Sequence, residues 1–496
     1  MKTKINLVTL IISLSILFLT GCEDTVDLKP VSNISSESFW QNEDDVRSAL
    51  YGMYNQFRST FDMKTVIWGE FRSGHYGQGA SSATEWNEIW ENQLNPTSSG
   101  TNWSDLYLLI NDANLLLSKG AEIPFSDPSE KDHTLGQAHF VRAFAYFQIV
   151  KLWGDAPLVT EGFESTGQEL EPSRSPKAEI LELVKQDISE ALNLLGDEAS
   201  VNYIGSNAAN MLKADIYLWI AKIEGGGDSY LQEAQTAIDE VLAAGYTLEP
   251  DFETVFRDEN SSEIILSVFY SDLEVGNGNR NGSSGRSQTG THPSYITLPS
   301  LNVVPSDLHN TIPVAPNPQW LDLSDYFLNN VLNPASVDSR TDVTWKSATA
   351  QNGSVTTWIN KYIGEEVSGT RLSTSDLIIY RFAEAILFKA EIENALDNTG
   401  EAITYLNKIA KRAYNVDNYY TGLGTSEIDN AILKERILEF VLEGKSWYDI
   451  QRFGQSFQII PSLIGREGEN EGNILLFPVA QDVLSRNFNI KQTEGY

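Results

Sequence analysis

The stretch from Thr134 to Glu161, TLGQAHFVRAFAYFQIVKLWGDAPLVTE, limits what this chain can fold into more than any other. Ala138, Val141, Ala145, Ile149 and Leu152 fall on one helical face, and Phe140, Phe144 and Phe147 on another. A helix apolar on two faces is packed between neighbours and does not lie on a surface. Thr134 and Gln137 have the spacing of a capping box, which places the helix start there. Gly154 and Pro157 stop it, glycine at the end and proline shortly after. The alanine face admits a second helix at close range, the construction of a stacked helical-hairpin array. The segment is a scaffold and carries no chemistry of its own.

Two further segments have a hairpin design. Ala208 to Ala244 reads as two helices broken at Gly225-Gly226-Gly227, and Leu377 to Tyr414 as two broken near Asp397 to Gly400. Alanine-rich units of this length with an aromatic in the first helix look like tetratricopeptide repeats. The glycine triplet lacks the Lys and Ser/Thr of a phosphate-binding loop. Other helices are expected after Asn42, a cap followed by Val46, Leu50, Met53 and Phe57 at helical spacing, over Trp103 to Leu117, and over Pro176 to Leu195. Leu433 to Gly454 reads as one charge-dense helix. Its Glu435, Glu439 and Glu443 recur at i, i+4 beside Arg436, Lys445 and Arg452, a pattern of ion pairing. Glycosidase carboxylates instead face one another across a substrate.

Two segments lack helical period. Thr60 to Asn102 is an irregular insert with Trp68, Trp86 and Trp90. Tyr270 to Thr374 is too long for a plain loop and is expected to be partly stranded. Loops on a rigid scaffold carry binding residues, and aromatics mixed with small polar residues are what an exposed recognition loop presents. The candidate ligand residues are therefore Arg72, His75, Tyr76, Trp86 and Trp90 in the first insert, and Tyr295, Trp320 and Trp345 in the second, with Tyr326 nearby. Trp68 reads as core. The histidines at 75, 133, 139, 292 and 309 show no metal spacing and no HExxH occurs, so no cofactor is expected and a calcium requirement stays open.

Charge and cysteine usage narrow the setting. With 35 basic and 68 acidic residues the formal charge is −33, which disfavours nucleic acid and anionic membrane surfaces as partners. Lys2 and Lys4 precede an apolar run from Ile5 to Leu19 that is too short for a permanent span, and Leu19-Thr20-Gly21-Cys22 ends it. That ending resembles a bacterial lipobox, with cleavage after Gly21 and acylation of Cys22, the chain's single cysteine. Glu23 and Asp24 resemble a surface-export signal.

Taken together, these landmarks resemble the SusD/RagB family, surface lipoproteins of Bacteroidetes nutrient-uptake systems. The carriers are Cys22 with Asp27 to Pro30, Phe39-Trp40, Trp103 to Leu117, and FVRAFAYFQIVKLWGDAPLVTE at 140–161. LKADIYLW at 212–219, IIYRFAEAILFKAEIENAL at 378–396, LNKIAKRA at 406–413 and ERILEFVLEGKSWYDIQRFG at 435–454 complete the series. A proline expected near Arg486-Asn487 is missing. The resemblance implies a mainly α fold, a tetratricopeptide-like helical-pair scaffold with a large irregular, partly β, loop-rich ligand-binding portion.

The organisation it implies is a signal peptide over 1–21, a lipid-anchored tether over 22–36 and a single SusD-like domain over 37–496. Within that domain lie an N-terminal helical part to about 270 with its insert at 60–102, an irregular subdomain to about 374, a C-terminal helical part over 375–454, and a tail. It further implies a non-enzymatic outer-membrane lipoprotein facing the cell exterior. Such a protein captures an oligosaccharide or polysaccharide and passes it to a SusC-like TonB-dependent transporter. Capture of a peptide or glycopeptide in the manner of RagB is the alternative, and a protein-binding adaptor or a glycosidase are others.

Overall fold

The computed structural model describes residues 39–81, 84–164, 168, 171–197, 200–271, 292–333 and 337–496. The expected signal peptide, Cys22, the tether and the glycine-rich stretch Gly276 to Gly290 lie outside the described residues.

Helix α1 (Glu43–Thr60) begins at Asn42, whose side chain accepts from the Asp44 and Asp45 amides while Asp45 returns a bond to the cap. A short helix α2 (Met63–Gly69), strand β1 (Tyr76–Gln78) and a single turn α3 (Asn87–Trp90) follow, then α4 (Ser104–Leu115).

The central helix α5 (Pro128–Trp153) starts a turn and a half before Thr134. Asp127 caps it and Pro128 occupies the first turn, where its missing N–H costs nothing. Thr134, read above as the cap, lies inside the helix and donates to the Glu130 carbonyl. Its C-terminus is at Gly154 as expected, with φ 71°. Every residue from Phe140 to Gly154 is buried, as the two-faced apolar pattern requires.

After α5 come α6 (Lys177–Leu194), α7 (Ser206–Lys222) and α8 (Asp228–Ala243). The C-terminal half supplies α9 (Phe382–Ala395), α10 (Thr399–Tyr414), α11 (Thr425–Glu439) and α12 (Ser446–Arg452). α5 packs on α6, α6 on α7, α7 on α8, α8 on α9, and α9 on both α10 and α11, so one array joins the two halves of the chain. Two sequence expectations are corrected. Leu377–Arg381 is an edge of sheet, antiparallel to Ile264–Val268, and not the start of a helix. The expected helix over Leu433 to Gly454 is two helices, broken where Leu442 and Gly444 adopt positive φ.

Between the halves, β2 (Ile264–Val268), β3 (Leu321–Leu323), the hairpin β4 (Trp345–Thr349) and β5 (Val355–Ile359), the hairpin β6 (Glu365–Val367) and β7 (Thr370–Leu372), and β8 (Leu377–Arg381) form two-stranded sheets. β1 of the first insert pairs antiparallel with β3, Tyr76 opposite Leu323 and Gln78 opposite Leu321. That pairing places the two irregular segments side by side.

The carboxylates of α11 and the turn after it are buried and ion-paired, with partners other than those expected. Glu439 meets Arg340, Arg381 and Arg412, Glu435 meets Arg340, and Glu443 meets Arg381 and Lys361. Arg436, Lys445 and Arg452 pair instead with Glu384, Asp449 and Glu391. Paired guanidinium groups hold Glu439 well below the usual carboxylate range despite complete burial.

Candidate functional site

The first insert is far more buried than an exposed recognition loop would be. Trp68 donates from Nε1 to the Gly100 carbonyl at 2.9 Å and packs on Trp153. Arg72 is fully buried. It donates to the Leu475 carbonyl at 2.8 Å and to Asn92 Oδ1 at 2.7 Å, and lies 4.2 Å over the Trp447 ring. Desolvation lowers its pKa to about 10, still a cation at neutral pH. Its role is to tie the insert to the C-terminal tail.

His75 is buried against Phe327, ring centroids 4.7 Å apart, and burial pushes its pKa down to about 3. It is a neutral packing group. Tyr76 donates to Glu70 Oε2 at 3.2 Å and accepts from the Leu442 amide at 2.9 Å, fixing the break between α11 and α12. Trp86 and Trp90, 6 % and 8 % exposed, pack on Phe71 and on each other. The expectation that these five residues stand exposed on a loop is therefore corrected. Their partners are remote in sequence and were not legible: Trp447 and the Leu475 carbonyl for Arg72, Phe327 for His75, the Leu442 amide for Tyr76 and Phe71 for the two tryptophans.

The second group behaves differently. Tyr295, Trp320 and Trp345 are each partly exposed. The Trp320 amide donates to the Ile296 carbonyl at 2.9 Å, next to Tyr295, and its carbonyl accepts from the Gly79 amide at 3.0 Å. One residue thereby fastens the 292–297 turn to the end of β1. Gly79 is required at this approach, since a Cβ there would sit 2.6 Å from the Gln319 carbonyl oxygen. Trp86 meets Trp320 edge to face, centroids 6.2 Å apart. The structure thus joins the two sequence clusters, with the buried members backing the exposed ones.

Polar groups lie close by, with Gln78 on the Leu321 side of the β1–β3 pair and Asp322 on the other. Gln78 and Asn87 are exposed and bonded to each other, Nε2 to Oδ1 at 3.3 Å. Asp322 accepts from Trp345 Nε1 at 3.1 Å, from Thr357 Oγ1 at 2.5 Å and from the Leu323 amide at 2.8 Å. Burial raises its pKa against those bonds. Gln319, buried below, donates to the Thr297 and Thr357 carbonyls. Asp322 and Gln319 were not singled out from the sequence, although the alternation in Trp320-Leu321-Asp322-Leu323 is a strand signal with two inward-facing leucines. Tyr326 points away from the face, its hydroxyl on the Ile459 carbonyl at 2.8 Å.

Among the described residues no group of three or more His, Cys, Asp or Glu is arranged to hold a metal ion. His139 instead meets Asp187 Oδ1 at 2.7 Å, a carboxylate shared with Arg142. No helix among the described residues is long and apolar enough to cross a membrane.

A mainly helical array carrying two inserted, partly stranded segments is the architecture of the SusD-like structures that this chain superposes on. The comparisons place the chain there. Residues 26–218 match a family described as "Starch-binding associating with outer membrane", and residues 341–496 match the SusD family. The SusD-like protein P38 of Formosa agariphila is 27% identical over 494 residues, covering 94% of each chain. The SusD-like protein P2 of the same organism is 25% identical, covering 99% of this chain and 98% of its own. Among solved structures, NanU of B. fragilis superposes with a TM-score of 0.76 at 24% identity, covering 95% of this chain and all of its own. A laminarin-binding SusD-like protein gives 0.74 at 21% identity, covering 92% and 100%. The two family matches together run along most of the chain, which is therefore similar to SusD-family proteins from its N-terminal to its C-terminal part.

Proposed function

We propose that this protein captures an oligosaccharide or polysaccharide at the cell surface and delivers it to a SusC-like TonB-dependent transporter, and that it is not an enzyme. The observation that carries the reading is the fusion of two sequence-distant aromatic clusters into one face at the Trp86–Trp320 contact. Tyr295, Trp320 and Trp345 supply ring surface for the CH faces of a sugar, and Gln78 and Asn87 supply donors and acceptors for its hydroxyls. Trp86, packed in turn on Trp90 and Phe71, supports this face from behind, while Arg72, His75 and Tyr76 fix the insert that carries it. Asp322 is committed to three hydrogen bonds and Glu88 to Asn95 and Ser98, which supports binding without hydrolysis by these two carboxylates. Acylation of Cys22 would supply the anchor, several chains at one residue giving a hold that a single chain does not.

The test is affinity electrophoresis against a panel of neutral polysaccharides, laminarin and starch included, with a peptide panel alongside. Retardation by at least one polysaccharide is expected. Binding confined to peptides would replace this reading with peptide capture. Co-purification with a transporter from the native membrane tests the delivery step, and failure to recover one would remove it.

A further inference from the structure

The geometry points to Asp322 as the positioning residue of the binding face, the group that fixes the Trp345 indole relative to Trp320 without touching the ligand itself.

The topology creates the need for such a residue. Trp320 leads into β3, whose ladder partner is β1, and Trp345 opens β4, whose ladder partner is β5. These are separate two-stranded sheets, so no shared ladder sets the two rings against each other. A two-stranded unit is marginal by itself and takes its place from what it packs against. Trp320 is held on its own account, by backbone bonds to Ile296 and Gly79 and by the Trp86 ring. Among the described residues no aromatic ring backs Trp345, which packs on the core as a partly buried side chain.

Asp322 makes the connection. It lies two residues beyond Trp320 and is 7% exposed. Its Oδ1 accepts from the Leu323 amide at 2.8 Å, which holds the carboxylate against its own strand, and from Trp345 Nε1 at 3.1 Å. Its Oδ2 accepts from Thr357 Oγ1 at 2.5 Å. Trp345 and Thr357 belong to opposite strands of the hairpin, so one carboxylate grips both. Gln319, immediately before Trp320, adds a bond to the Thr357 carbonyl at 2.8 Å. Trp320 is thus flanked in sequence by two buried polar side chains that both hold the strand pair carrying Trp345.

The chemistry suits positioning. Indole Nε1–H is a donor only, and a carboxylate is a stronger acceptor for it than a neutral oxygen. The bond leaves from the edge of the ring, in its plane, so it restrains rotation and keeps the ring face free. A binding group has to be held within about 0.5 Å and 10–20° by the residues behind it. Holding it before the ligand arrives removes an ordering cost that corresponds to about two- to tenfold in affinity. With three donors on two oxygens and little exposure, Asp322 acts through Trp345. The inference rests on the glycan reading given above.

The experiment is calorimetric titration with laminarin or soluble starch, whichever retards the native protein. It compares native protein with Asp322→Ala, Asp322→Asn, Trp345→Ala and Trp345→Ala/Asp322→Ala. Asp322→Ala should bind about two- to tenfold more weakly. Asp322→Asn keeps an acceptor for Trp345 Nε1 and offers its amide to the Thr357 oxygen, so it should restore native affinity. In the Trp345→Ala background the Asp322→Ala change should cost nothing further, as a residue working through Trp345 requires. The Trp345 indole N–H resonance, assigned by its absence from Trp345→Ala, should move upfield in Asp322→Ala. Trp345→Phe breaks the same bond from the indole side, should weaken binding similarly, and serves if Asp322→Ala does not fold.

Native affinity in Asp322→Ala, or in Trp345→Phe where the alanine variant does not fold, would overturn the proposal and leave the glycan reading standing. A further loss from Asp322→Ala in the Trp345→Ala background would overturn it too, by showing that the carboxylate acts on the fold at large. An unmoved indole resonance in Asp322→Ala would do the same. No retardation of native protein by either polysaccharide would remove the glycan reading, and the assignment of Asp322 with it.

Discussion

The indole rings of Trp86 and Trp320 meet edge to face at 6.2 Å with 74° between their planes, although they come from inserts far apart in the chain. The contact exists because β1 pairs with β3 and because Gly79 lets the 319–320 backbone approach. It makes the first insert the foundation of the binding face and the second insert its surface.

The foundation should behave as core. Trp90 is 8% exposed and lies against Phe71 and Trp86. Trp90→Ala is expected to lower stability by about 3–5 kcal/mol, the range for an aromatic emptied from a packed interior. Chemical denaturation would measure this, and a loss below about 1 kcal/mol would show that the insert is loosely seated.

Glu70 gives a pH signature. Its carboxylate accepts from the Gly444 and Lys445 amides at 2.9 and 3.0 Å, in the turn between α11 and α12. Burial nevertheless raises its pKa from 4.5 to about 7, against those bonds and the Lys361 charge. Its pKa is higher folded than unfolded, so the group's contribution to stability is fully present below about 4.5 and is lost as pH rises through 7. The shift corresponds to a loss on the order of 3 kcal/mol. Glu70→Gln stays neutral throughout, so its thermal midpoint should gain on the native protein between pH 4.5 and 7 and hold that gain above 8. A gap independent of pH would show that Glu70 does not titrate in this window.

Arg381 is the hub of the buried charge network, bonded to Glu263, Glu439 and Glu443 with no exposure to solvent. Removing one member strands the others in a low dielectric. Arg381→Ala is expected to cost about 3–5 kcal/mol, read by denaturant titration. A near-neutral effect would mean that water reaches the site.

Acid should attack the same region. Glu391 is held down to about 2 by the charges of Arg452 and Lys222 although its burial acts in the opposite sense. Its pKa is lower folded than unfolded, so its contribution is present above about 4.5 and is lost as pH falls toward 2. Glu391→Gln should therefore flatten the stability profile between those limits, and an unchanged acid limb would place the lability elsewhere.

Where a signal was local, the sequence was sufficient. The spacing of Val46, Leu50, Met53 and Phe57 with Asn42 ahead of them gave α1, and the doubly apolar pattern of Phe140 to Leu152 gave a helix buried all round. Where the cause was remote, it was not. Leu433 to Gly454 looked like one helix because nothing local announces that Glu70 and Tyr76 will bind the amides of its middle. Leu377 to Arg381 is a short apolar run, whose periodicity cannot separate strand from helix. Asp127-Pro128 was a better start signal for α5 than Thr134, and it was local. Composition located the aromatic clusters but could not say which rings face outward, since that depends on a strand pairing between two inserts.

The central claim is that the half-buried ring of Trp320 holds the ligand, and Trp320→Ala tests it most directly. Calorimetric titration with whichever neutral polysaccharide retards the native protein should show affinity at least tenfold weaker, about 1.4 kcal/mol, with the thermal midpoint lowered by no more than a few degrees. Native affinity in the Trp320→Ala protein would contradict the account.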